Sequence, residues 1–256
     1  MSDSSKTTGA GPDTPSIAFA DRVTRIAPSP TVAISSLALD LRAAGRDVIG
    51  LAVGEPDFET PPHVKEAAIR AIHDGHTRYT QVDGIPELKE AVAEKFRREN
   101  GLDVSAANIS VGTGGKQVLF NALMATVQAG DEVIIPAPYW VSFAGITEVA
   151  GGTPVFLASG FADGLKLSPE RLEAAITPRS RWVIINSPSN PTGMGYSADE
   201  LRAFANVIRR HPNLMVISDD LYEHLTYDGF EFSTIAGLAP DLADRVLTCL
   251  LYTSPS

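Results

Sequence analysis

Cysteine is almost absent from this sequence, with Cys249 the only one. No intrachain disulfide can form, so the fold must rest on a packed core, and the chain suits a reducing cytoplasm. Basic residues are also scarce: 21 Lys and Arg stand against 31 Asp and Glu, for a net charge of −10. Nucleic-acid binding needs clustered Lys and Arg to displace counterions, so the balance argues against a nucleic-acid partner and for small-molecule chemistry. Long hydrophobic runs are missing too. The apolar stretches are strand-sized and broken by Gly, Pro or charge, too short to span a bilayer, so no membrane partner is expected. Residues 1–17 hold no apolar stretch of the secretory kind. They are rich in Ser, Thr, Gly, Pro and Asp, and residues 1–21 are expected to be a disordered tail.

What is present is ordinary globular composition, 44% apolar and 20% charged. From Asn108 onward short β-branched runs alternate with longer segments of helical spacing. The runs are 109–111, 132–136, 153–157, 181–186, 214–218 and 245–248; helices are expected at 117–127, 142–150, 168–176 and 198–210. Three more helices are expected earlier, at 31–44, 62–74 and 86–100. Such alternation predicts an α/β fold, a mainly parallel sheet with helices on both faces. The runs Trp182 to Ile185 and Leu214 to Ile217 are apolar at consecutive positions, as strands covered on both faces must be. Helix starts are marked by Ser168-Pro169-Glu170 and by Ser197-Ala-Asp-Glu200, a capping-box pattern.

Ligands of open α/β sheets bind beyond the carboxyl ends of strands, so the residues after each run carry the functional signal. Gly112-Thr-Gly-Gly-Lys116 opens directly into a helix, where glycines permit close backbone approach and free N–H groups attract an anion such as phosphate. A plain glycine turn explains the same residues. Pro138-Tyr139-Trp140 brings an aromatic face to the same edge, suited to a flat heteroaromatic ligand or simply to packing. Ser187 to Gly193 is rich in turn formers. Asp219 and Asp220 end the next run, and adjacent carboxylates there repel unless a cation is near or they cap a helix.

These segments, with Gly54-Glu-Pro-Asp-Phe58, Tyr79, Gly84 to Leu88 and Ser218 to His224, resemble in order and spacing the fold-type-I pyridoxal-phosphate aminotransferases of class I/II, in the bacterial aspartate aminotransferase branch. The resemblance runs from about Arg22 to Thr248. It implies pyridoxal 5′-phosphate as cofactor, its phosphate held by the backbone of Gly114, Gly115 and Lys116 and its ring stacked on Trp140. Asn190 and Tyr222 are implied partners of the ring's phenolic oxygen, and Asp219 of the pyridine nitrogen, which it keeps protonated so that the ring is an electron sink. Gly54, Trp140, Asn190 and Lys116 are the implied substrate contacts, with Lys116 facing a distal carboxylate. Tyr79 is the residue lent to a neighbouring subunit, which makes a homodimer the expected active form. The activity implied is ping-pong transamination between an amino acid, aspartate foremost, and a 2-oxo acid such as 2-oxoglutarate. Another fold-type-I enzyme, an aromatic or alanine aminotransferase or a carbon–sulfur lyase, shares the pattern. An aminotransferase-like regulator needs a DNA-binding module for which residues 1–30 are too short and too acidic.

By the same resemblance, residues 22–53 belong to a small domain and 54–248 to the coenzyme-binding large domain. The family carries its Schiff-base lysine in a Ser-Lys pair near position 254, where this chain has Thr253 and Ser254. The last residues, Cys249-Leu-Leu-Tyr-Thr-Ser-Pro-Ser256, can be read back through the genetic code as TGT CTC TTA TAC ACA TCT CCG AGC, which resembles a transposon-derived sequencing adaptor; a genuine hydrophobic C-terminus is the other reading. Residues 249–256 are therefore expected to be a non-native tail on a C-terminally truncated chain, inactive for want of the lysine.

Overall fold

In the computed structural model, residues 18–51, 54 and 59–251 are described. Strands β1 (Glu132–Ala137), β2 (Thr153–Ala158), β3 (Ser180–Asn186), β4 (Met215–Asp219) and β5 (Val246–Cys249) form one parallel sheet in the order β2-β1-β3-β4-β5. Ahead of the sheet come α1 (Asp21–Thr24), α2 (Pro30–Ala43), α3 (Pro62–His73) and α4 (Pro86–Lys95). The crossovers and the approach to β1 are α5 (Gly115–Thr126), α6 (Ser142–Ala150), α7 (Pro169–Ala175), α8 (Ala198–Arg210) and α9 (Ile235–Leu238).

The consecutive apolar residues of β1, β3 and β4 divide between two cores by strand parity. Ile134, Val183, Ile185 and Val216 pack with Leu172, Phe204, Ile208 and Ile235 on the α7–α9 face. Val133, Ile135, Trp182, Ile184 and Ile217 pack with Leu119, Leu123, Phe143 and Ile146 on the α5–α6 face. Each such side chain contributes about 1.5–3 kcal/mol on burial, which is why the runs leave no polar position in the strand centres. Helix α8 starts as its sequence requires: Glu200 N–H donates to Ser197 Oγ at 3.3 Å while Ser197 N–H donates to Glu200 Oε2 at 2.7 Å. Asp199 and Glu200 lie in its first turn and Arg209 and Arg210 in its last, each matching the helix dipole.

Two expectations need correction. Residues 109–111 are extended but form no strand. A strand needs a ladder partner; here Val111 N–H donates at 2.9 Å to Asp83 O in a loop, while Ile109 and Val111 lie by their side chains in the cluster that also receives Val246 and Leu250. The helix expected over 86–100 is α-helical only to Lys95; residues 96–100 wind as a π turn closed by Gly101 at φ +67°. The tail expected at the N-terminus lies mostly outside the described residues, and α1 already begins at Asp21.

Candidate functional site

The parallel register lines up three strand ends, Asn186 against Asp219 and Asp219 against Cys249. Parity then separates the two carboxylates. Asp219 follows Ile217 onto the α5–α6 face, whereas Asp220 follows Ser218 and Val216 toward the other. Ser218 Oγ accordingly donates to Asp220 Oδ1 at 2.7 Å. No helix follows them directly, since the chain turns at 221–224 and α9 begins only at Ile235, so helix capping does not explain the pair.

Asp219 is 5% exposed and its Oδ1 has no hydrogen-bond partner. Burial lifts its carboxyl from the ordinary carboxylate range to about 6, against the pull of the Leu221 backbone N–H. Asp220 is raised to about 7, first by burial, with the Ser218 hydroxyl opposing and Asp219 and Glu223 adding repulsion; its Oδ2, like Asp219 Oδ1, has no hydrogen-bond partner. Cys249, buried beside them, has its thiol pushed up by burial and then by both carboxylates. A buried carboxylate oxygen with no donor is costly unless a cation or an N–H supplied from outside completes it.

The glycine loop stands next to this group. Gly114 caps α5 at φ +84°, and a Cβ there would meet nothing within 4 Å, so its surroundings are open. A Cβ on Gly115 would lie 3.4 Å from Leu221 Cδ1 and 3.5 Å from Cys249 Sγ, which sets the start of α5 against the ends of β4 and β5. Gly112 is required sterically, because a Cβ would come within 2.9 Å of Val118 Cγ2. Among the described residues no acceptor takes the N–H of Gly115 or Lys116, so two donors at a helix N-terminus are available to an anion.

Lys116 Nζ sits 5.1 Å from the centre of the Trp140 ring. Trp140 is edge-on to Phe143, with ring centres 5.3 Å apart, and half-buried against the α5–α6 core. On the β3 side, Asn190 Nδ2 donates to Tyr222 Oη at 3.2 Å. Asn190 is itself held by Asn186, whose Oδ1 accepts from Asn190 N–H at 2.8 Å and whose Nδ2 donates to Asp219 O at 2.9 Å. Asn186, which opens the turn-rich segment 186–193, is a supporting residue whose role only the sheet register reveals. Two expected site residues are not brought in. Tyr79 is fully exposed, and Gly54 is exposed and flanked by residues outside those described, as are Glu55 to Phe58. A separate cavity between β1 and β3 is lined by Tyr139, Phe143, Met194 and Tyr196; its one cation, Lys166, already pairs with Glu200 at 2.6 Å. Asn186 and Ser189 also line this cavity, so it adjoins the polar group at the strand ends.

The model of the family described as aminotransferase class I and II matches residues 46–254. The chain belongs to that family. This aminotransferase chain is 59% identical over 231 residues to an aspartate/prephenate aminotransferase of Cereibacter sphaeroides, covering 90% of the chain and 58% of the relative. It is 52% identical over 229 residues to an aspartate aminotransferase of Rhizobium meliloti, covering 90% of the chain and 56% of that protein. The Rhizobium meliloti aspartate aminotransferase crystal structure superposes with TM-score 0.89 at 51% identity, over 92% of this chain and 59% of that one. The Thermus thermophilus aspartate aminotransferase with maleate gives 0.87 at 45% identity, over 93% and 61%. The chain thus spans about 58% of the length of the Cereibacter relative. The family's coenzyme is pyridoxal 5′-phosphate, and the fold is that of its α/β coenzyme-binding domain.

Proposed function

We propose that the protein to which this chain belongs transfers an amino group from aspartate, or a similar amino acid, to a 2-oxo acid such as 2-oxoglutarate in a ping-pong cycle. The single observation carrying this reading is the buried Asp219 carboxylate, whose Oδ1 lacks a donor beside an open, N–H-rich glycine loop. Bound pyridoxal phosphate supplies an electron sink for the negative charge that develops at the substrate Cα. Asp219 holds a proton on the pyridine nitrogen. The free N–H groups of Gly115 and Lys116 and the dipole of α5 take the phosphate; Gly114, whose own N–H donates to Gly112 O at 2.9 Å, serves by its open left-handed turn rather than as a donor. Trp140 offers its ring face, and Asn190 and Tyr222 donate to the phenolic oxygen. Lys116, when it leaves the Trp140 ring, presents a cation to a distal substrate carboxylate, with Gly54, Trp140 and Asn190 as further substrate contacts. Tyr79, fully exposed, reaches the phosphate of a second copy, so the working form is a cytoplasmic homodimer.

Residues 22–53 serve the small domain and 54–248 the large one, with Cys249 closing β5, buried beside Asp219. Attachment of the coenzyme's aldehyde takes an amine, the same lysine that serves the family as acid–base group; Thr253 and Ser254 offer only hydroxyls, so the 256-residue chain is expected to be inactive by itself. The completed reading frame is expected to encode Ser-Lys within about ten residues after Thr248. Its product should form oxaloacetate from aspartate and 2-oxoglutarate; prephenate, in the name of the Cereibacter relative, is the second acceptor to test. Absence of the lysine, or of transamination with every acceptor, overturns the reading.

A further inference from the structure

One group of buried charges has no part in the reading above. Lys95, in the last turn of α4, and Glu223, in the turn after β4, form an ion pair with side chains only 6% and 7% exposed. Lys95 Nζ also donates to Asn100 Oδ1 at 2.8 Å, and Asn100 Nδ2 donates to the second oxygen of Glu223 at 2.6 Å. Lys95 and Asn100 meet because residues 96–100 form the π turn. In an uninterrupted α-helix, residues five apart point about 140° away from each other. The π turn, often found at functional positions, brings both groups to one carboxylate.

A buried ion pair is a weak source of net stability, because desolvating both charges offsets their attraction. Its place in the chain suggests a different use. Glu223 adjoins Tyr222, whose hydroxyl accepts from Asn190; before it the turn is held by Asp220 N–H to Cys249 O at 2.9 Å and by Leu221 N–H to the Asp219 carboxylate, within it by Glu223 N–H to Asp220 O at 3.0 Å and Leu225 N–H to Tyr222 O at 2.9 Å, and after it by His224 at 3.6 Å from Glu99. The start of the turn is fixed by β4. Its rotation is fixed where Glu223 docks on α4. Glu99, Glu223 and His224 also lie close enough to suggest a cation. Both Glu223 oxygens are already taken by Lys95 and Asn100, so that cluster carries no metal assignment.

We propose that Lys95 and Asn100, acting through Glu223, are positioning residues that hold the turn after β4 so that the Tyr222 hydroxyl meets Asn190. The inference rests on the reading that Tyr222 and Asn190 serve the coenzyme. It is tested on the chain labelled with 3-fluorotyrosine, the Tyr222 resonance being assigned by its loss in Tyr222→Phe. Asn190→Ala gives the reference shift for the broken bond. The double variant Lys95→Met/Glu223→Gln removes both charges at nearly constant volume, so its melting temperature should match or exceed the parent's. A positioning role requires that its fluorine resonance nevertheless lie at the Asn190→Ala position. Pyridoxal phosphate affinity, read by tryptophan quenching, should fall about five- to tenfold, the worth of one hydrogen bond. A parent-like resonance in the stably folded double variant overturns the proposal and leaves the network merely structural. If the double variant does not fold, Asn100→Ser, which keeps the ion pair, replaces it: a shift toward the Asn190→Ala position supports the proposal, and an unmoved resonance overturns it. A fluorine shift as expected in a chain that binds no pyridoxal phosphate upholds the positioning and counts against the coenzyme reading instead.

Discussion

Replacing Asp219 by Asn should make the coenzyme-free chain more stable at neutral pH while weakening its hold on pyridoxal phosphate. The carboxyl is 5% exposed and raised from 3.8 to about 6 by burial. A raised acid binds its proton more tightly in the folded state than in the unfolded one. Its contribution is therefore neutral below about pH 4, turns unfavourable between about 4 and 6, and stays so above, at about 3 kcal/mol from the linkage relation. Asn removes the charge but brings two N–H donors of its own, so the net gain at pH 7.5 should be about 1–3 kcal/mol. At pH 4 the gain should vanish. A pyridinium N–H paired with ionised Asp219 recovers the same free energy on binding, so the variant should bind pyridoxal phosphate roughly a hundredfold more weakly. Parent affinity should likewise decline as pH falls through about 6. Urea unfolding at pH 4 and 7.5, with tryptophan-quenching titrations, measures both arms. An Asn variant that is less stable at pH 7.5 and binds the coenzyme as tightly as the parent refutes the reasoning.

Two further outcomes are expected. The 256-residue chain mixed with pyridoxal phosphate and reduced with borohydride should yield no single stoichiometric lysine adduct by mass spectrometry and no oxaloacetate from aspartate; it should also be poorly soluble, since Val32, Ile34, Leu37 and Leu39 of α2 are exposed. Ser197→Ala removes the acceptor for Glu200 N–H at the start of α8 and should cost about 1 kcal/mol in urea unfolding without altering coenzyme affinity.

The strands β1, β3 and β4 were legible because burial on both faces leaves an unbroken apolar signature, the partly buried edge strands β2 and β5 by their short β-branched runs alone, and α6 and α8 were legible to the residue because their ends carry turn glycine or capping groups. The misreading at 109–111 has a definite cause. β-branched residues report extended backbone, whereas a strand is a property of two segments, and Val111 finds only the loop carbonyl of Asp83. The π turn was hidden for a similar reason: the sequence of 96–100 suits an α-helix, and what distinguishes it is a carboxylate more than a hundred residues away. Of the candidate site, Asp219 and the glycine loop could be found from charge and backbone chemistry. The roles of Asn186 and Glu223 could not, because each depends on which residue the sheet and the turn set opposite it.

Adjacent carboxylates at a strand end pose a choice that composition alone leaves open, and the two-residue period of the strand resolves it. Ile217 belongs to the α5–α6 core and Val216 to the α7–α9 core, so Asp219 and Asp220 leave β4 toward different layers. The start of α5, with its glycine loop, meets Leu221 and Cys249, and Trp140 packs on the same α5–α6 core. On the proposed reading, the coenzyme's cation reaches Asp219 from that side. Asp220 instead finds Ser218 on its own face. A slip of one residue in the ladder between β3 and β4 would exchange the two, leaving the glycine loop facing the carboxylate already engaged by Ser218. The register that seats Ile217 in one core and Val216 in the other is therefore the same constraint that aims Asp219 at the loop, and packing and chemistry are fixed by one set of backbone hydrogen bonds.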